Sequence, residues 1–369
     1  MGEEILRYIE AQQKEVYIAH DKGVCIGLPY PYIAPTSTQG LFDSDQFYWD
    51  SYFIILGLLK QEKVALAKGM VQNLAFLVNR FGVIPSRNRY YNLGISQPPL
   101  FTSMIREVYV KTQDTEWLMD MCVAAKKEYV YWMENQHTVH EGLARYCDHW
   151  YMHLTSEHES GWDMTSRFGD RCMDMLPVDL NALLYKVECD LAYFHEELGQ
   201  DASLFHEAAD KRKFVLCKLM HKDGFFYDYN YQTQSITGFK SIAAFVVLWS
   251  GLATKEQAKA LVSHIKNFEC PGGLVTTQKE NLLTPFRQWD YPNGWPPLQW
   301  FVIQGLLNYG YEEDAKRIAQ KWVDLNERVF AQTGKLWEKY DVVHLEVGKS
   351  GRYPTQSGFG WTNAVYLLC

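Results

Sequence analysis

Apolar and polar positions along the chain recur with helical rather than strand periodicity, and the helices they mark are of two kinds. EEDAKRIAQKWVDLNERVFA spaces its apolar residues three and four apart and fills the other positions with charge. Such a helix has one solvated face. The segment before it, PPLQWFVIQGLLNY, carries no charge, as a helix buried on every side would. FKSIAAFVVLWSGL and TKEQAKALVSHIKNF repeat the contrast. The pattern predicts helices over 4–19, 48–60, 62–81, 98–112, 114–136, 178–198, 201–221, 239–251, 254–268, 296–309, 312–331 and 358–367. Buried and solvated helices alternate, which predicts an all-α fold, an (α/α)6 toroid with an inner ring of six helices wrapped by an outer ring of six. Strand signals are confined to 272–278 and 342–348, read as short β arms in loops. No linker or low-complexity tract divides the chain, so residues 1–369 are read as one domain despite the length.

The unusual segments fall at one kind of place. DSDQFYWDSY opens the second helix, NLGISQPPL the fourth, QWDYPNGWPPLQ the tenth and YPTQSGFGWTN the twelfth, while ESGWD precedes the sixth. All are N-terminal ends of inner helices, and in a ring of parallel members those ends share one face. Prolines in these segments suit a first helical turn. Tryptophan and carboxylate would therefore converge on one cleft.

Composition narrows what that cleft holds. Aromatics make up 15% of the chain, with 12 Trp and 24 Tyr, which suits a filled core and also a cleft that stacks sugar rings. A net charge of −8 without a basic stripe argues against a nucleic-acid partner. No apolar run is long enough to span a membrane, and the N-terminus is charged rather than signal-like. The eight scattered cysteines contain no CxxC pair, which predicts reduced thiols and a cytoplasmic location. A monomer or small homo-oligomer is expected. His149, His153 and His158 lie close together but lack a clear third ligand, so no metal or other cofactor is expected.

Four carboxylates sit beside a tryptophan: Trp49-Asp50, Trp162-Asp163, Trp289-Asp290 and Trp337-Glu338. Glycoside hydrolysis needs two carboxyl groups in opposite states. One must be protonated near neutral pH, and burial against an indole shifts a carboxyl in that direction. The residues alone do not choose which two.

The motifs resemble the trehalase family of glycoside hydrolases, family 37. FYWDSYF at 47–53, SQPP at 96–99, ESGWDMTSR at 159–167, QWDYPNGWPP at 288–297, EKYD at 338–341 and GFGWTN at 358–363 occur in the family's order. The resemblance implies an inverting hydrolase of a short α-glucoside, most simply α,α-trehalose, without a cofactor. It places the general acid on Asp163 and the general base on Glu338, with carboxyls about 6.5–9.5 Å apart in such enzymes. It carries sugar contacts to Trp49, Asp50, Ser96, Gln97 and Gly161. Trp162, Arg167, Trp289, Asp290, Trp337 and Arg352 complete the expected substrate-binding set.

The sequence departs from the family at polar contacts. The family's PGGRFRE is replaced by QGLFDSDQ, its RSQPP arginine by Ile95, an asparagine by Ser86 and the glutamate of GGEYP by Arg352. An arginine fork suits a carboxylate, so a glucosyl or mannosyl glycerate is the alternative substrate. Against it, Arg87, Arg89, Arg145, Arg167 or Arg352 would replace the lost contacts and leave trehalose as substrate. A sugar-binding protein without activity is a further alternative, opposed by retention of both Asp163 and Glu338. A polysaccharide lyase and a phosphorylase rank lower because Glu338 is present.

Overall fold

A computed structural model describes residues 1–36, 41–134, 136–280 and 282–369. Its α-helices are α1 (Gly2–Gln12), α2 (Tyr48–Lys60), α3 (Val64–Phe81), α4 (Phe101–Thr112), α5 (Thr115–Met133), α6 (His153–Glu159), α7 (Val178–Glu197), α8 (Ser203–Met220), α9 (Val246–Trp249), α10 (Lys255–Val262), α11 (Pro296–Asn308), α12 (Glu312–Thr333) and α13 (Gly360–Leu368).

The ring closes on itself. Helix α2 packs on α4, α4 on α7, α7 on α9, α9 on α11, α11 on α13, and α13 back on α2. Of these inner helices α9, α11 and α13 carry no charge and every residue of α2 from Tyr48 to Leu59 is buried, whereas α4 and α7 carry charges. Outside them lie α3, α5, α8, α10 and α12, with α1 against α12. Helix α12 shows why the outer members stay outside. Ala315, Ile318, Ala319, Trp322, Leu325, Asn326 and Val329 form its buried stripe, while Glu312, Glu313 and Asp314 occupy the first turn, where acids complement the helix dipole. Gly82 and Gly334 end α3 and α12 in the left-handed conformation.

Connections from inner to outer helices are short, as at 61–63, 113–114 and 198–202, whereas those from outer to inner run long, as at 82–100, 134–177 and 334–359. The long segments collect at the N-terminal ends of the inner helices, where the motifs are.

The expected boundaries shift where tertiary pairing overrides periodicity. Helix α1 stops at Gln12 because Tyr17 leaves to pair with Tyr32 through bonds of 2.8 and 3.0 Å. Helix α4 starts at Phe101, not 98, since the Pro98-Pro99 pair holds the preceding residues extended. The helix expected over 239–251 is a 3-10 turn, Ile242–Phe245, followed by α9. Ser241 is bridged to Thr277 and the Ile242 amide donates to Thr276, so helix begins only afterwards. The helix expected over 254–268 ends at Val262 and continues only as a 3-10 turn, Ile265–Asn267. The helix expected over 114–136 ends at Met133, with Glu134 already extended; residue 135 lies outside the described residues. Helix α6, within the segment leading to ESGWD, was not expected.

The β arms are smaller than expected. Glu269–Cys270 pairs with Gly273–Leu274, and Tyr340–Asp341 lies between Asn293–Gly294 and Glu346–Val347. This second arm fixes the backbone two residues beyond Glu338.

Candidate active site

A cavity of about 360 Å³ opens at the N-terminal ends of the inner helices. Trp49, Asp50, Gln97, Gly161, Asp163, Trp289, Glu338 and Arg352 line it. These eight expected residues come from segments far apart in sequence, and the ring brings them together.

Its floor is tryptophan. Trp289 stacks on Trp295 at 3.7 Å and 3° between planes, and Trp162 stacks on Trp289 at 5.5 Å. Trp49 lies 5.7 Å from Trp289 and meets Trp361 edge-on at 5.9 Å. Gly161 has φ +73°, and a Cβ there would stand 2.9 Å from the Trp49 ring. Glycine is required on both counts, for the left-handed backbone and for the indole's place.

The acids differ in their surroundings. Burial raises the pKa of Asp163 from the usual carboxylate range to about 7. The Arg352 guanidinium, 3.3 Å away, opposes that rise, and Glu338 adds to it. The Asp163 side chain keeps 27% of its surface exposed, so a ligand in the cavity can reach it. Its backbone carbonyl accepts from Gln288 Nε2 at 2.5 Å, which ties ESGWD to QWDYPNGW. Glu338 is only 1% exposed. Lys339 Nζ donates to Glu338 Oε2 at 2.7 Å and Tyr353 Oη to Oε1 at 2.8 Å, so both oxygens are held by donors, one of them a buried cation. Trp361 Nε1 holds the Glu338 backbone carbonyl at 2.8 Å. Asp50 is 3% exposed, and burial followed by the charges of Glu338 and Asp163 pushes its pKa well up.

The remaining expected residues do not line the cavity. Ser96 is turned away, with its hydroxyl on the Ile84 carbonyl at 2.7 Å and its amide on Glu159 at 3.1 Å. Trp162 is 1% exposed and lies under Trp289, with the Arg167 guanidinium 4.7 Å from its ring. Arg167 itself is fully committed to Asp179 and Asp228, each at 2.6 Å, in a site without side-chain exposure. Asp290 accepts from Thr165 and Ser166 and so fixes the turn that follows Asp163. Trp337 Nε1 donates to Thr333, outside the cavity. These five stand behind or beside the cleft and do not line it.

The family-divergent positions do face the cavity. Ser86, Arg87, Ile95 and Arg352 line it. Of the arginines considered as replacements, Arg89 is bound to Asp45 and Arg145 to the Gln136 and Met173 carbonyls and the Tyr231 hydroxyl. Only Arg87 and Arg352 among those five reach the cleft. Gln39 and Gly40 of the QGLFDSDQ segment lie outside the described residues; Leu41 and Phe42 line the cleft. The sequence reading missed Phe42, Phe47, Asn92, His158, Tyr353, Phe359 and Trp361 as lining residues. Tyr353 next to Arg352, and Trp361 inside GFGWTN, were within reach of the motifs. His158 was read only for a metal. Its Nε2 instead faces Arg352 Nη1, and burial and that cation lower its pKa to about 4. His153 accepts from the Met173 amide, so the three histidines do not converge.

With this geometry in hand, comparison with known proteins is informative. The family model for trehalase matches residues 3–147 and 144–369. A periplasmic trehalase of Xanthomonas oryzae pv. oryzae is 34% identical, over 93% of this chain and 68% of that protein. A probable trehalase of Eremothecium gossypii is 32% identical, over 92% of this chain and 57% of the other. Among solved structures, neutral trehalase Nth1 from Saccharomyces cerevisiae superposes with a TM-score of 0.84 at 30% identity, covering 99% of this chain and 79% of that one. A GH63 mannosylglycerate hydrolase from Thermus thermophilus shares the fold, with a TM-score of 0.76 at 19% identity over 98% of both chains. Matched along nearly its whole length by one family model, with the family's motifs gathered in one cleft, this chain belongs to the trehalase family.

Proposed function

We propose that the chain hydrolyses α,α-trehalose to two glucose molecules with inversion at the attacked carbon. The observation that carries this reading is the pairing of Asp163, whose pKa is raised to about 7, with Glu338, both oxygens of which are held by donors. A carboxyl raised to about 7 beside a second carboxyl held by a cation and a phenol can supply an acid and a base in one cavity. A cavity of about 360 Å³ falls within the range of small-molecule sites, and the names of the relatives give the substrate.

In the proposed step, Asp163 gives its proton to the glycosidic oxygen as the C1–O bond breaks. Water attacks C1 from the opposite face, and Glu338 takes the proton that this water loses. The leaving glucose departs with the proton from Asp163, and the attacked ring leaves as the β-anomer. Solvent exchange then returns the proton from Glu338 to Asp163. Asp50, which lines the cavity, bonds a sugar hydroxyl. The indoles of Trp49 and Trp289 bound the space for the ring.

A trehalose digest followed by proton NMR tests this reading. Before mutarotation, β- and α-glucose appear together in equal amounts; release of α-glucose alone overturns inversion, and no release overturns the activity. The second reading, a glycoside of glycerate, is favoured by one observation: Arg352 at the cleft, 48% exposed. Turnover of glucosylglycerate without turnover of trehalose would establish it. The eight cysteines are free, which suits a reducing cytoplasm, whereas the Xanthomonas oryzae relative is named periplasmic. Fractionation of the producing cell decides the compartment. None of the described helices is long and apolar enough to cross a membrane.

A further inference from the structure

Arg352 is a long, half-exposed side chain that the cleft nevertheless holds in one place. Its Nη1 touches Asp163 Oδ2 at 3.3 Å. An ion pair exposed to solvent fixes such a side chain weakly, because the rotamer entropy of arginine opposes it. Asp163 alone is therefore a poor anchor. The same Nη1 also meets His158 Nε2. Arginine has no acceptor atom, so Nη1 donates and Nε2 accepts, which leaves the imidazole proton on Nδ1.

His158 is rigid where Arg352 is not. It lies in the last turn of α6, between two glutamates that are themselves tied down. Glu157 accepts from the Thr165 amide at 2.7 Å, and Glu159 from the Ser96 amide at 3.1 Å and the Cys147 amide at 2.7 Å. The His158 carbonyl accepts from the Gly161 amide at 3.1 Å, at the hinge of ESGWD. The ring is thus built into the turn that presents Asp163.

Its charge state suits the contact. Burial and Arg352 lower its pKa to about 4, with Asp148 opposing, so the imidazole is an uncharged acceptor over the range in which Asp163 titrates. Asp163 lies within electrostatic reach of Arg352, Glu338, Lys339, Asp50, Glu157 and Tyr353. Of these six, Arg352 is the one with an exposed side chain. Its place beside the acid depends most on what anchors it.

We propose that His158 is a positioning residue for the reaction, an uncharged acceptor that anchors the Arg352 guanidinium beside Asp163 and so sets how strongly that cation opposes protonation of the acid. The effect on rate rests on the role proposed above for Asp163; the effect on the Asp163 carboxyl does not.

Carbon-13 NMR of protein labelled at the aspartate carboxyls tests it, with the Asp163 signal assigned through Asp163→Asn. In the parent this carboxyl titrates at about 7. In His158→Leu the midpoint rises by about 1 unit, the low end of an arginine's effect on a neighbouring aspartate, and it rises equally in Arg352→Met. In His158→Gln, whose amide oxygen takes the place of Nε2, the midpoint stays at that of the parent. Combining His158→Leu with Arg352→Met moves it no further than either change alone, since both remove one contact. The alkaline limb of kcat/KM for trehalose follows the same order. Thermal melts show that each variant is folded, and His158→Ala replaces His158→Leu if the latter is not. The proposal is overturned if His158→Leu leaves the midpoint unmoved or lowers it, if His158→Gln moves it as far as His158→Leu, or if the two shifts add in the double variant. Because the carboxyl titrates without turnover, a failure to hydrolyse trehalose would remove the proposed function and leave the anchoring of Arg352 to be decided by the midpoints.

Discussion

The two mouths of the barrel are made by opposite ends of the same six helices, and they differ in kind. At the N-terminal mouth, long connections such as 134–177 and 334–359 arrive from the outer ring. They carry the acids, and they narrow the opening to a cavity of about 360 Å³. At the C-terminal mouth the connections are as short as 113–114, so little covers the ring and a funnel of about 1150 Å³ is left. The charges are arranged differently too. Asp163 and Glu338 meet cations, Arg352 and Lys339, at contact distance inside the cleft. In the funnel Arg106 and Lys186 pair with the buried Asp190, and Lys60 and Lys255 also line the wall. The helix ends add to the contrast, since N-terminal turns present unpaired amides and partial positive charge. Acids such as Asp50 and Asp179 sit in those first turns. Loop length and helix polarity thus decide which mouth can hold chemistry.

The largest effect that would test this contrast is catalytic. Asp163→Asn and Glu338→Gln are each expected to lower kcat for trehalose by about 10³-fold, measured by glucose release, with melting temperature little changed. A loss of less than tenfold in either variant would place the acid or the base elsewhere.

Next comes the support under the cleft. Arg167 is buried between Asp179 and Asp228, so Arg167→Met leaves two carboxylates without their cation. The expected loss is about 3–5 kcal/mol of unfolding free energy, read by urea denaturation. A loss below about 1 kcal/mol, the range of an exposed ion pair, would show that Arg167 is not structural. A single domain over residues 1–369 predicts that the parent unfolds in one cooperative transition; two separated transitions would divide it.

A smaller effect is expected at Arg352. This cation lowers the pKa of Asp163, which burial raises to about 7. A general acid must be protonated, so activity falls as pH rises through about 7, and Arg352→Met should move that alkaline limb upward. An unmoved limb in the kcat/KM profile would separate Arg352 from Asp163. Stability follows the same sign. The folded pKa of Asp163 is above its unfolded value, about 3.9, so its contribution is present below that value and declines as pH rises through about 7. Asp163→Asn should flatten the stability profile in that window.

The smallest expected effect is at the far mouth. Leu56→Ala, in the funnel wall, should leave kcat/KM for trehalose within twofold of the parent. A larger change in a folded variant would mean that the two mouths are coupled through the shared helices.

How far the sequence could be read depends on the kind of residue. Asp50, Asp163 and Glu338 were legible because each stands beside a tryptophan in a motif, and the family resemblance gave them order. Ser96, Trp162, Arg167, Asp290 and Trp337 belong to equally marked motifs yet turn inward or away. A motif records that a residue matters and is silent on which way its side chain points. The helix that fails to form before Ile242, and the α4 start at Phe101, reflect local pairing and the Pro98-Pro99 pair. Periodicity sees only the second of these when proline chemistry is applied.

By itself the sequence determined the ring. Mostly apolar helices such as α2, α9 and α11 alternate with amphipathic ones, and burial of the apolar set leaves few other arrangements. It also determined that tryptophan-acid motifs lie at one end, through their position before the inner helices. Only the tertiary structure decided the states of the acids. The pKa of Asp163 depends on burial and on Arg352, 189 residues away, and the Glu338 carboxyl is held in place by Lys339 and Tyr353. Desolvation and Coulomb interaction act across space. For that reason neither the charge a residue carries nor the atom it faces follows from its neighbours in the chain.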